Sequence, residues 1–310
     1  MRRAIAYVLL LLFSLACLIG IAEYRKALRA DRKNAHAYYE KGATRLGEHE
    51  YDRAIADFNE ALRLDPKLAD AYSGRGAAWG FSGDNDRAIA DLNEALRLDP
   101  KLASAYYYRG VAWACKRDNE QAVADFTEAL RLDPKHTEAY DERGRGYYQQ
   151  GDLDRAVADY GEALRLDPKS VHAYYGRGLA WGRKGEYDKG VGDFTEAIRL
   201  DPKHAQAYHN RGVAYYYAQK YDHAIADYTE AIQLNPNDAE GYCYRALACE
   251  KKGKIDKAVE DFNDAVRLDP QYGEAYYGRG LVYEKWGDKS KAEEDFARAK
   301  QLGYKPDQNR

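Results

Sequence analysis

The chain has 310 residues, a net charge of −3 and 32% charged residues, a mixed-charge surface without the basic excess needed to hold a phosphate backbone. Nucleic acid is therefore not an expected partner. The four cysteines, Cys17, Cys115, Cys243 and Cys249, show neither a disulfide framework nor a paired metal-binding spacing, and Cys243 and Cys249, six apart on one expected helix, point to different sides of it.

The first 22 residues stand apart. Arg2 and Arg3 precede an apolar run from Ala4 to Ala22. Nineteen helical residues span about 28 Å, one hydrocarbon core. Two main readings compete: a retained single-pass membrane anchor, or a signal peptide cleaved near Ala22, with Gly20-Ile21-Ala22 as a small-x-small site. A buried core helix is a third. Arg25, Lys26, Arg29, Arg32 and Lys33 follow the run closely, and charge of this sign resists translocation. That favours the anchor and a cytoplasmic C-terminal domain. Cys17 does not make a lipoprotein signal, because Ser14 and Leu15 fit it poorly.

Beyond the run the chain repeats itself. "ALRLDPK" occurs at residues 61, 95, 129 and 163, with looser copies at 197, 231 and 265. All eight prolines belong to the pattern: the first seven, Pro66 to Pro270, are spaced by 34 residues, and Pro306 follows by 36. The units run 35–68, 69–102, 103–136, 137–170, 171–204, 205–238, 239–272 and 273–304, leaving a tail at 305–310. Position 4 of each unit is Tyr (Tyr38 to Tyr276), position 8 is Gly except at Ala246, position 20 is Ala except at Gly190, and position 27 is always Ala. Position 24 is Phe, Tyr or, once, Leu92. Positions 4, 8 and 11, and again 20, 24 and 27, follow the helical i, i+4, i+7 rule, so each unit predicts two amphipathic helices. Small residues let the two backbones approach while rings fill the flanks. The proline stops the second helix and starts the turn.

The ends of the array are also legible. Tyr24, Ala27 and Asp31 match positions 24, 27 and 31 of an incomplete earlier unit. Residues 23–34 thus predict a lone second helix capping the first full unit, into which the apolar helix runs with little or no linker. At the other end, Glu293 and Lys300 replace the Ile, Leu or Val found at positions 21 and 28 of every earlier unit, as expected where no further neighbour follows.

The pattern Y-x-x-R-G-x-x-[WY], then A-x-x-x-[FY], A and P, closely resembles the tetratricopeptide repeat, a 34-residue helix–turn–helix. The resemblance covers about residues 35–304 and partly 24–34. Two positions depart from it. Tyr replaces the usual Trp at position 4, and a basic residue (Lys41, then Arg75 to Arg279) replaces the usual Leu at position 7. Its stem is expected to cover apolar surface while its head reaches water. The resemblance implies an all-α, right-handed superhelical α-solenoid of eight helix–turn–helix repeats, preceded by an apolar N-terminal helix.

No unique catalytic constellation stands out. Asp recurs at position 23 from Asp57 to Asp295, and Glu or Asp at position 26 in seven units; acids recurring in every unit predict a solvated scaffold face, with position 26 near Arg at 29. His172 and His209 fall on adjacent first helices without a third metal ligand, and Cys115 has no evident base. No phosphate loop, G-x-S-x-G or H-E-x-x-H is present. The reading assigns no catalytic residue, cofactor or metal, and an enzyme is not expected.

The resemblance does imply a concave groove lined by positions 2, 5, 9, 12 and 13 of the first helices. In this chain those positions supply Tyr39, Phe81, Tyr107, Asp141, Arg145, Tyr148, Tyr175, Arg183, His209, Tyr216, Tyr217 and Tyr277. Seven acids and four bases on them make the groove mildly acidic as well as tyrosine-rich. Tyrosine suits recognition, offering a large stiff ring with one polar tip; the other reading is that several of these rings pack on neighbouring helices. Chaperone adaptors of this family clamp a C-terminal carboxylate with Lys at position 5 and Asn at position 9, where this chain has Tyr39 and Ala43, then Ser73 and Ala77, so that clamp is not expected. The expected function is a membrane-tethered scaffold, anchored through residues 4–22, that binds a protein or peptide partner. The alternative is a small-molecule or glycan-binding module of the cell envelope using the same groove.

Overall fold

The structure, a computed structural model, describes residue 26 and residues 29–306. Among these residues it is all-helical, without a strand. Helix α1 covers 29–47. It is followed by α2 (Tyr51–Leu64), α3 (Ala69–Phe81), α4 (Asn85–Leu98), α5 (Ala103–Cys115), α6 (Asn119–Leu132), α7 (Thr137–Gln150) and α8 (Leu153–Leu166). Then come α9 (Val171–Arg183), α10 (Tyr187–Leu200), α11 (Ala205–Tyr217), α12 (Tyr221–Leu234), α13 (Ala239–Lys251), α14 (Ile255–Leu268), α15 (Gly273–Trp286) and α16 (Lys289–Gln301). The chain divides into two compact units, Met1–Gly146 and Tyr147–Arg310. Within each, successive helices pack as pairs in tandem, the all-α solenoid arrangement.

The repeated word stops each second helix through two residues, not one. The Asp before the proline is extended, near φ −134° and ψ 92° at Asp65, because proline bars it from helical geometry. Its backbone N–H still reaches Ala61 O at 2.8 Å, and its own carboxylate accepts the N–H of Lys67 at 3.1 Å. The same turn recurs at Asp99, Asp133, Asp167, Asp201 and Asp269. Residues 31–34 lack this proline, and α1 runs unbroken through them into the first helix of the repeat beginning at 35.

Packing follows the small positions. A Cβ on Gly110 would lie 2.7 Å from the Phe126 ring, and one on Gly212 would lie 2.8 Å from Tyr228. Ala54, Ala88, Ala122, Ala224 and Ala258 at position 20 are buried beside them. Position 6 adds a contact between repeats: a Cβ on Gly74 would meet Phe58 at 2.5 Å, and one on Gly278 would meet Phe262 at 2.6 Å.

The position-23 acids overturn the expectation of a solvated face. Asp57, Asp125, Asp193, Asp227, Asp261 and Asp295 are buried. The basic residue at position 7 does not lead out to water either; it turns back onto that acid. Arg109 holds Asp125 with two bonds of 2.8 and 2.7 Å, donates its remaining nitrogen to Asn93 of the preceding repeat at 2.6 Å, and lies 5.5 Å from the Tyr106 ring. Arg75, Arg211, Arg245 and Arg279 repeat this three-way contact. The physical reason is desolvation: a carboxylate between two packed helices is stable there only with a bidentate cation opposite. Position 26 does pair with position 29 on the surface, as at Glu94–Arg97.

Cys243 and Cys249 are both buried in one apolar cluster with Phe262 and Val282. Glu293 and Lys300 are exposed on the last helix. The expected apolar helix over residues 4–22 lies outside the described residues. Among the described residues no helix is long and apolar enough to cross a membrane.

Candidate functional site

Position 5 of the first helices forms a half-buried layer, with Ser73 and Cys243 buried outright, not a free surface. The Tyr107 ring packs tilted against His136 at 4.4 Å and lies 6.0 Å from Phe126. Tyr175 lies 4.8 Å from His204 and 5.9 Å from Phe194, and its hydroxyl accepts from Asn210 Nδ2 at 3.1 Å. Tyr277 packs between Phe296 and Tyr304 at 5.4 and 5.3 Å. His209 sits edge-on to Tyr228 and Tyr244, with Asp238 and Glu240 each 4.0 Å away. Position 34 of the same repeat thus covers position 5: His136 over Tyr107, His204 over Tyr175, Asp238 beside His209. His204 also starts α11, where its Nδ1 accepts the Ala207 N–H at 3.2 Å.

Burial raises the hydroxyl pKa of Tyr39, Tyr107 and Tyr175 above the ordinary tyrosine value. Acids add to it, Asp70 at Tyr39 and Glu142 at Tyr107. These rings are neutral hydrogen-bonding surfaces, not latent phenolates.

The more exposed positions lie near the ends of the first helices. Phe81 is 52% exposed and stacks on Tyr51 at 5.9 Å. Tyr217, 43% exposed, stacks on Tyr187 at 5.4 Å and meets Tyr216 edge-on at 5.6 Å. Arg183 lies over the Tyr148 ring at 4.8 Å and donates to the Tyr148 carbonyl at 2.9 Å. Arg145 pairs with Glu142 one helical turn away, and Asp141 is half-buried on the same helix.

In the unit ending at Gly146, three successive first helices converge. Tyr39 from α1, Asp70, Ser73 and Phe81 from α3, and Ser104 and Tyr108 from α5 line a cavity of about 460 Å³, with Tyr51 at its side. These side chains come from positions 2, 5, 6 and 13. Among the described residues no three of His, Cys, Asp and Glu gather as a metal site would require.

The profile described as "TPR repeat" matches residues 49–79, 82–114, 144–185 and 249–287. Profiles described as "Tetratricopeptide repeat" match 103–136, 171–204, 205–238, 227–260 and 273–302. The chain belongs to the tetratricopeptide repeat family. Solved TPR structures agree in fold. The C-terminal part of a TPR repeat-containing protein from Cytophaga hutchinsonii is 20% identical with a TM-score of 0.61, covering 77% of this chain and 98% of that one. A tetratricopeptide repeat protein from Parabacteroides merdae is 21% identical with a TM-score of 0.55, covering 81% and 99%. YrrB, described as a TPR protein with an unusual peptide-binding site, is 24% identical with a TM-score of 0.54, covering 63% and 97%. Comparison with the curated proteins finds no match.

Three parts of this TPR face escape a reading by groove positions alone. Tyr51 and Tyr187 stand at position 17, on second helices, yet support Phe81 and Tyr217 of the following repeats. Tyr108, at position 6, closes the cavity edge-on to Phe81 at 6.1 Å. His136 and His204, in the turns, cover the position-5 rings. The available signal was coincidence: an aromatic residue at position 13 accompanies Tyr at position 17 one repeat earlier.

Proposed function

We propose that the protein is a membrane-tethered interaction scaffold that binds a peptide segment of a partner protein on the tyrosine-rich face of its first helices. The observation that carries this is the half-buried ring at position 5 of four first helices, Tyr39, Tyr107, Tyr175 and Tyr277, a position the TPR family uses to line its groove, with Tyr39 walling a cavity beside the first repeats. Stiff, half-buried rings contribute contact area at low entropic cost, and exposed Phe81 and Tyr217 present apolar surface that a partner would cover. YrrB, of the same fold, is described as having a peptide-binding site, which supports the class of ligand. The tether is residues 4–22, retained as a single-pass anchor with the basic stretch behind it. Binding, not catalysis, is the proposed activity.

The test uses the full chain in detergent micelles. Peptides selected from a displayed library are titrated against it and against the Tyr107→Ala/Tyr175→Ala/Tyr216→Ala variant, with helix content monitored by circular dichroism. Binding at least about tenfold weaker in the folded variant is expected. Unchanged binding would remove these tyrosines from the site. A glycan or metabolite that raises the melting temperature while every selected peptide fails would favour the small-molecule reading instead.

A further inference from the structure

We propose that the cavity over the first three repeats receives one cationic side chain, lysine or arginine, of a bound peptide. The inference rests on the peptide-binding reading above and adds the charge class of the residue that anchors there.

The cavity exists because of an omission. Position 5 is Tyr in four repeats but Ser73 in the second, and position 6 there is Gly74. Ser104 follows at position 2 of the third repeat, its Oγ 3.5 Å from that of Ser73. Small residues form the floor while rings remain at the sides. Tyr51 and Phe81 stack at 5.9 Å, Phe81 meets Tyr108 edge-on at 6.1 Å, and Tyr39 stands opposite. At about 460 Å³ the space has room for a long side chain and adjoining backbone.

Charge decides which side chain. Asp70 lines the cavity and neither Lys nor Arg does; the imidazole on it, His49, is hydrogen-bonded to the Tyr51 hydroxyl at 2.9 Å. Two other acids near this face have cations: Glu142 pairs with Arg145, and Glu250 with Lys285 and Lys251. Asp70 has no ion pair among the described residues, although its charge reaches the Tyr39 hydroxyl. Ring faces attract a cation, most strongly where water is partly excluded, and a carboxylate at the mouth adds a direct Coulomb attraction. A neutral apolar side chain would fill the space but shield Asp70 from water without replacing its hydration. An anionic one would be repelled.

The experiment uses the full chain with three defined probes: acetyl-Gly-Lys-Gly-amide, its norleucine counterpart with no charge, and its glutamate counterpart. Ring resonances of ¹³C-labelled Tyr and Phe report occupancy, assigned by substitution of Tyr39, Tyr51 and Phe81. The lysine probe is expected to shift those rings and to bind about fivefold or more tighter than norleucine, with the glutamate probe weakest. Asp70→Asn, an exposed substitution, is expected to bring lysine down to the norleucine level, as is raised salt. Equal affinity for lysine and norleucine, an unchanged Asp70→Asn protein, or silent rings with every probe would each overturn the proposal. Tyr107, Tyr175 and Tyr216 do not line this cavity, so peptide binding that survives Asp70→Asn would leave the wider groove standing while this inference falls.

Discussion

Arg245 grips Asp261 through two parallel hydrogen bonds of 2.8 Å, and the carboxylate it holds is fully buried. The same guanidinium donates to Thr229 of the preceding repeat at 3.1 Å and lies 5.5 Å from the Tyr242 ring. One side chain therefore joins both helices of its own repeat and ties that repeat to the one before. Asp261→Ala leaves the arginine half its partners and a buried positive charge. A loss of about 3–5 kcal/mol is expected in urea unfolding, with the double variant Arg245→Met/Asp261→Leu recovering most of it. If the single variant costs no more than the double, the pair is not what holds this junction.

Glycine at position 8 is a matter of space. Gly212→Ala drives a methyl into the Tyr228 ring, from which it would lie 2.8 Å, and is expected to cost about 1–3 kcal/mol. Gly182→Ala, on helix α9 with nothing within 4 Å of the added methyl, is expected to stabilise by about 0.5–1 kcal/mol through helix propensity alone. Opposite signs in thermal melts of the two variants would establish that packing, not helix entropy, dictates the first position.

Three turns between first and second helices carry a strained residue. Gly83, Gly151, Gly185, Gly253 and Gly287 occupy the left-handed region at position 15, and His49, Arg117 and Gln219 are forced into the same region with a side chain. Gln219→Gly is expected to stabilise by about 1 kcal/mol. A melting temperature that falls would show that the glutamine compensates its strain elsewhere.

Cysteine accessibility separates the described thiols. Cys115 is exposed, whereas Cys243 and Cys249 are buried and burial raises the Cys249 pKa, which keeps it a neutral thiol. Iodoacetamide on the folded protein, read by peptide mass mapping, is expected to label Cys115 alone of these three, with Cys243 and Cys249 appearing only in denaturant. Labelling of Cys249 in the native state would mean that the repeat at 239–272 opens readily.

The proposed tether has a direct test. Carbonate-washed membranes are expected to retain the full-length chain with its original N-terminus. A mature protein that begins near residue 23 and washes free would assign residues 1–22 to a signal peptide.

Much of the fold was legible because repetition reports on packing. A residue that recurs every 34 positions, such as Ala61 through Ala299, is held by the same contact each time, and helical spacing says which face makes it. The groove positions were legible only as places. Position 5 reads either as groove surface or as rings packed on neighbouring helices, and the covering residue that decides between them lies 29 positions away in a turn, a distance no helical period encodes. Position 17 joins the face from the other helix for the same reason.

By itself the sequence determined the period, the two helices of each repeat, the small-to-large contacts between them and the stop at each proline, since all of these depend on residues close in the chain. The tertiary structure decided what happens where chains of contact cross repeats: that Arg and Asp sixteen residues apart meet in a dry seam, and that Ser73, Gly74 and Ser104 leave a hollow beside an unpaired Asp70. Burial and empty space are properties of several helices at once, so no single repeat contains them.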